Sequence, residues 1–243
     1  MPYIDANGLP IYHSLTGEGE PVVLLHGGFC SAEVLRPLGE QLAGFEVHAP
    51  ERPGHGRTPD RPGPITYDDW VADTVGYLDA VGLIDAHLVG FADGANLALM
   101  VALAHPHRVR SLVAISANLQ PDVWVPEEQQ ATASPAEEAQ RLADELTALS
   151  PEGPEHLDDL LGRLAQLWEH EPHLDPAALA AIAVPSLVVA ADHDMVRPDH
   201  TQLIADSLPG AQLCIVPGTS HLLVRERPEL IGLVVAQFLQ GLA

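Results

Sequence analysis

Apolar residues along this 243-residue chain follow two rhythms that alternate. One is a short continuous run. "PVVLL" (21–25), "FEVHAP" (45–50), "AHLVGF" (86–91), "VRSLVAIS" (109–116), "PSLVVAA" (185–191) and "AQLCIVPG" (211–218) are of this kind, as expected of strands buried on both faces. The other places apolar residues three and four apart, as on a helix face. It occupies "TYDDWVADTVGYLDAVG" (66–82), "DGANLALMVALAHP" (93–106), "DHTQLIADSL" (199–208) and "PELIGLVVAQFLQGL" (228–242), and a further helical pattern runs from Ser31 to about Leu42. Thr66 stands as an N-cap with acids behind it. Ahead of all these, "PYIDANGLPIYHSL" holds two extended runs around Asn7-Gly8, a hairpin signal.

Strand and helix in alternation predict an α/β fold, a mostly parallel sheet with helices on both faces. The alternation stops after Asn118. From about Leu119 to Ile182 only helical patterns occur: "SPAEEAQRLADELTALS", with Ser134 as N-cap and Pro135 first in the helix, "PEHLDDLLGRLAQLWEH", and "DPAALAAI". The chain therefore reads as one domain, residues 1–118 and 183–243, interrupted by a helical insertion at 119–182. An insertion after a sheet strand suits a lid over the strand ends, where open α/β sheets bind ligands.

The stretch "LVGFADGANLALM" (88–100) carries the candidate chemistry. An apolar run enters Gly90, turns, leaves through Gly94 and becomes helical. Glycines at this spacing allow an abrupt strand-to-helix turn with the middle residue held out at positive φ. That residue would sit where helix N–H groups favour developing negative charge. The pattern is G-x-S-x-G except that Ala92 replaces the serine, and a methyl has no nucleophilic atom. Asp192 and Asp194 follow a buried strand in "VVAADHDMVRP", and His221 follows the last strand in "VPGTSHLLV". Nucleophile position, acid and histidine in that order is one arrangement of a Ser-His-Asp site. "LLHGG" (24–28) comes directly off a strand, and Gly28 or Phe29 could supply one N–H of an oxyanion hole whose second donor is the N–H of Asp93. Phe29, Trp124, Trp168 and Leu222 are the candidate substrate-contacting side chains.

With "HGG", "ERPGHGRT", "GFADGA", "DHD" and "GTSH" in place, the chain resembles the α/β-hydrolase superfamily over essentially its full length, as a serine esterase- or lactonase-like member. The resemblance implies an eight-stranded sheet, a helical cap and no cofactor. It also implies Asp194, the second acid of the D-x-D pattern, as the acid of the triad. Substrate is not fixed by it; a small apolar ester or lactone is the expectation, bound by a monomer or homodimer.

Ala92 admits three readings: a deliberate serine-to-alanine change that traps substrate, a serine-free enzyme run by His221 and Asp194, or a protein that only binds a small molecule. The first is preferred here and leaves the written form inactive, because both elbow glycines, "HGG", Asp194 and His221 all stand. Charge narrows partners further. The net charge is −23 and all 11 basic residues are arginine, which opposes nucleic acid and anionic membranes and excludes a lysine Schiff base. With no leader or membrane-spanning run, the expected location is the cytoplasm. Cys30 and Cys214 read as buried thiols rather than redox groups. In "EHEPH" (169–173) a metal site is conceivable but an exposed acidic loop is preferred, and Arg52 and Arg61 read as staples of their loop through local ion pairs.

Overall fold

The computed structural model describes residues 2–125 and 135–242. Eight strands form one sheet in the order β1-β2-β4-β3-β5-β6-β7-β8: β1 (Tyr3–Ala6), β2 (Leu9–Thr16), β3 (Glu20–Leu25), β4 (Phe45–Pro50), β5 (Ala86–Phe91), β6 (Val109–Ile115), β7 (Ser186–His193) and β8 (Gln212–Ser220). The first hairpin turns at Asn7 and Gly8, both with positive φ, and β2 joins β4 antiparallel. Every later pairing is parallel. The expected α/β architecture is what the chain adopts.

Helices α1 (Arg36–Gly39), α2 (Tyr67–Ala80), α3 (Asp93–Ala104), α4 (Pro135–Leu149), α5 (Glu155–His170), α6 (Pro198–Ser207), α7 (Leu223–Glu226) and α8 (Pro228–Gln240) complete the fold. Strand alternation sends neighbouring residues into separate cores. Leu88 packs with α2, α3 and the leucines of α5, whereas Val89 and Phe91 pack with α1, α7 and α8. The Thr66 hydroxyl accepts from the Asp69 N–H and starts α2, as its position predicts.

Two helical readings shorten. The pattern from Ser31 forms a 3-10 turn, Ala32–Leu35, then the single turn of α1. Pro37 and Gly39 limit the run, since one lacks an N–H and the other costs backbone entropy. "DPAALAAI" is likewise a 3-10 segment, Pro176–Ala181, capped by Asp175. The Ser134 cap lies outside the described residues. Between β6 and β7 the chain builds α4 and α5 and no named strand among the described residues. At the entry to this insertion, the Val125 N–H bonds the Met195 carbonyl at 2.7 Å and the Arg197 N–H bonds that of Val123 at 2.9 Å. The insertion is thus stitched to the loop after β7. No helix among the described residues is long and apolar enough to cross a membrane.

Candidate active site

Strand β5 runs into a turn at Ala92, with φ 50° and ψ −119°, and α3 begins at the next residue. The turn is fixed by the Ala92 N–H on the Ile115 carbonyl at 2.9 Å and by the Ala95 and Asn96 N–H groups on the Ala92 carbonyl. The flanking glycines are required for space rather than for dihedral freedom. A Cβ on Gly90 would lie 2.1 Å from the Gly94 carbonyl oxygen, and one on Gly94 would lie 1.9 Å from that of Leu25. Helix and sheet pack backbone to backbone here, and only the middle residue carries positive φ.

His221 follows β8, and its Nδ1 lies 2.7 Å from Asp194 Oδ1. An ionised carboxylate only accepts, so Nδ1 donates, and the neutral form of the ring carries its lone pair on Nε2. Asp194 Oδ1 also accepts from the Val196 N–H, and Oδ2 from the Ser116 hydroxyl. Burial by itself would raise the Asp194 pKa; the positive charge and hydrogen bond of His221, with the Ser116 and Val196 donors, outweigh it and hold the carboxyl below its ordinary value. Asp192 instead accepts the Thr219 N–H, and the structure sets Asp194, not Asp192, against the imidazole. Behind His221, the Glu226 carboxylate holds the Ser220 N–H at 2.8 Å and its hydroxyl at 2.6 Å.

Ser116 and Glu226 were not among the residues singled out from sequence. Ser116 adopts φ 54° at the end of β6, a strained conformation for a residue with a side chain, and a serine ending a buried strand beside the acid-bearing strand was the available signal. Glu226 lies in α7, five residues beyond His221, and nothing local marks it.

The glycine loop after β3 is held from below. Arg52 Nη2 donates to the Gly27 carbonyl at 2.7 Å, and His55 Nε2 bonds the Gly28 carbonyl. Across a trans peptide, C=O and N–H point in opposite directions. Anchoring these two carbonyls therefore turns the N–H groups of Gly28 and Phe29 the other way. The Arg52 N–H donates to His26 Nε2, so neutral His26 carries its proton on Nδ1, against the Gly27 carbonyl. Burial, then the charge of Arg52, lowers the His26 pKa and takes that of His55 down to about 3. Both rings are neutral near pH 7. Arg52 corrects an expectation: it is no local ion-pair staple but a buried guanidinium 4.2 Å from the Trp70 ring centroid. Arg61 reaches Asp73 of α2.

A cavity of about 710 Å³ opens over the elbow, and Gly28, Phe29, Ala92, Asp93, Trp124, Trp168, His221 and Leu222 all line it. Asp194 is buried behind His221. The structure thus places Gly28, Phe29, Ala92, Asp93, Trp124, Trp168, His221 and Leu222 around one cavity with Asp194 behind His221, and leaves Asp192 outside it. Cys30 also lines the cavity, but burial pushes its thiol up to about 12, and a thiol so protonated is no substitute nucleophile. Of metal-binding geometry, the described residues hold one compact group, Asp60, His156 and Asp159. It lies apart from the "EHEPH" stretch, and Arg163 already pairs with both of its acids.

The model of the Alpha/beta hydrolase family matches residues 22–231. A protein of Azorhizobium caulinodans named "Putative carbamate hydrolase RutD" is 27% identical, with 98% of each chain covered. One of Variovorax paradoxus with the same name is 33% identical over 88% of this chain and 90% of its own. The crystal structure of the enol-lactonase from Burkholderia xenovorans LB400 shares the fold, with a TM-score of 0.80 at 22% identity over 98% of this chain and 100% of that one. With a matching family model over most of its length and the strand–elbow–helix, acid and histidine in the family's order, this chain belongs to the alpha/beta hydrolase family.

Proposed function

We propose that the protein hydrolyses the acyl bond of a small, largely apolar ester, lactone or carbamate, with His221 as general base and Asp194 as the group that orients it. The observation that carries this reading is the 2.7 Å His221–Asp194 pair beside a positive-φ elbow, on one cavity. The N–H groups of Asp93 and of Gly28 or Phe29 form the oxyanion hole, and the insertion at 119–182 acts as a cap through Trp124 and Trp168.

With Ala92 in place the covalent route is closed. What remains is water: its oxygen attacks the carbonyl carbon, its proton passes to His221 Nε2, and the carbonyl electron pair moves onto the oxygen held by the N–H donors. Collapse of the tetrahedral species expels the alkoxide, which takes the proton back from His221. A serine at position 92 would attack instead and form an acyl-enzyme. The written form is accordingly a slow catalyst, because oxyanion hole and binding survive while the nucleophile does not.

Assays on phenyl and p-nitrophenyl esters, lactones and carbamates test this. Ala92→Ser is expected to raise kcat/KM by roughly 10³-fold or more and to make the protein react with a fluorophosphonate. His221→Ala is expected to remove the residual turnover of the written form. A serine form that neither turns over nor labels would overturn the proposal and leave a protein that only binds.

A further inference from the structure

Asp93 enters the sequence reading only through its backbone N–H, yet its side chain is the single carboxylate among the described residues lining the cavity. It is 6% exposed. Its Oδ1 accepts the Tyr67 hydroxyl at 2.6 Å, and its Oδ2 accepts the Trp168 indole N–H at 2.8 Å. An ionised carboxylate has about four lone-pair positions, so these two donors leave acceptor capacity. The side chain also lies against the glycine loop: a Cβ on Gly28 would fall 2.0 Å from Asp93 Oδ2 and 2.8 Å from the Trp168 ring. Glycine at position 28 is what lets this carboxylate sit against the backbone of the loop after β3.

That placement carries an electrostatic cost. A buried negative charge opposes the negative charge that develops on a carbonyl oxygen next to it, and the effect is large where water is excluded. Arg52 lies behind the loop as partial counter-charge. Apart from His221, which is paired with Asp194, and Asn118, the side chains around it, among them Phe29, Phe91, Trp124, Met195 and Leu222, are apolar and offer Asp93 no charge partner. A substrate that brings its own N–H donor to the carboxylate removes the penalty, and one that brings a second carboxylate doubles it.

We propose that Asp93 is a specificity-determining residue that selects acyl groups with an N–H donor on the reacting carbonyl, carbamates above all, and rejects acyl groups bearing a carboxylate. In a carbamate the amino group and the carbonyl oxygen share one carbon. The donor therefore lies on the same carbon as the oxygen that the N–H groups would hold, within the cavity that Gly28 and Asp93 both line, and Asp93 Oδ2 lies against Gly28. The inference rests on the acyl-bond reading of the site given above, and it narrows that reading to a substrate class.

Phenyl carbamate and phenyl acetate differ only by an amino group in place of a methyl of similar size, and they form the test pair. Dissociation constants are measured on the protein as written by calorimetry, with kcat/KM followed in parallel. The carbamate is expected to bind about 10- to 100-fold tighter, as for a hydrogen bond to a charged group. Monophenyl succinate is expected to bind weakest. Asp93→Asn should bring the carbamate-to-acetate ratio near one and improve binding of the succinate, whereas a carboxylate that merely ties Trp168 to α3 would leave both ratios alone. Equal binding of the pair by the unchanged protein overturns the inference whatever the variant's stability, as does an unaltered ratio in Asp93→Asn, or binding of neither probe. Selective binding without His221-dependent turnover would remove the hydrolytic reading and keep this one. Turnover without carbamate preference would do the reverse.

Discussion

At position 92 a single methyl group carries both the strain and the functional question. Ala92 holds φ 50° with ψ −119°, a region that costs a side-chain-bearing residue on the order of 1–3 kcal/mol. The cost persists because the surroundings over-determine it: the Gly90 and Gly94 backbones admit no Cβ, and three backbone hydrogen bonds fix the turn. Replacing Ala92 by glycine removes the strain without removing any of those bonds. Ala92→Gly is therefore expected to raise stability by about 1 kcal/mol, since the gain in backbone freedom is offset in part by the larger entropy of the unfolded chain. Denaturant titration with an unchanged m-value would check it. A destabilised glycine variant would mean that the Ala92 methyl packs against the Phe91 side of the core more tightly than its half-buried position indicates.

At the scale of elements, legibility in the sequence depended on whether a signal was local. Strand, elbow and helix around Ala92 were legible because their reason is local: an apolar run, two glycines, and an apolar helix, contiguous in the chain. Asp194 and His221 were legible because each directly follows a strand, so topology alone delivers them to one edge of the sheet. The residues that hold the site in place were not. Ser116 reaches Asp194 across 78 positions, and Arg52 and His55 reach the glycine loop across more than 20. Such partners are set by strand order, and the "ERPGHGRT" stretch, though it carries part of the family resemblance, gave Arg52 only as a staple of its own loop. These long-range contacts also bear on rate. His55→Leu keeps the buried volume while leaving the Gly28 carbonyl without its donor, which costs about 1–3 kcal/mol of stability. In the Ala92→Ser background it is expected to lower kcat about 10-fold and leave KM nearly unchanged, because a misaligned oxyanion donor is felt in the transition state rather than in the bound substrate. A matching rise in KM would argue that the loop shapes the binding cavity instead.

For the molecule as a whole, charge balance decides what salt does to stability. The chain has 34 acids against 11 arginines. Among the described residues, arginines at 36, 57, 61, 108, 110, 163, 197 and 225 form ion pairs. Two opposing effects follow from adding salt. Screening weakens the pairs, but most are partly exposed and worth roughly 0–1 kcal/mol each. It also weakens repulsion among the acids left over once every arginine is counted, and that surplus is the full net charge of −23. At 0.01 M ionic strength the screening length is about 30 Å, long enough for these charges to repel across much of the molecule; near 0.15 M it is about 8 Å. The long-range repulsion is thus removed over a salt range that leaves contacts of 3 Å largely intact, and repulsion is the larger quantity. Tm is expected to rise between 0.01 and 0.3 M sodium chloride at pH 7, and to rise less at pH 5, where protonation of some carboxylates and of histidines has already reduced the surplus. A Tm that falls with salt at pH 7 would show instead that the ion pairs joining the insertion to the core, Arg163 with Asp60 and Arg225 with Glu145, outweigh the repulsion. The insertion would then be held to the sheet mainly by charge, with the buried leucines of α5 contributing less.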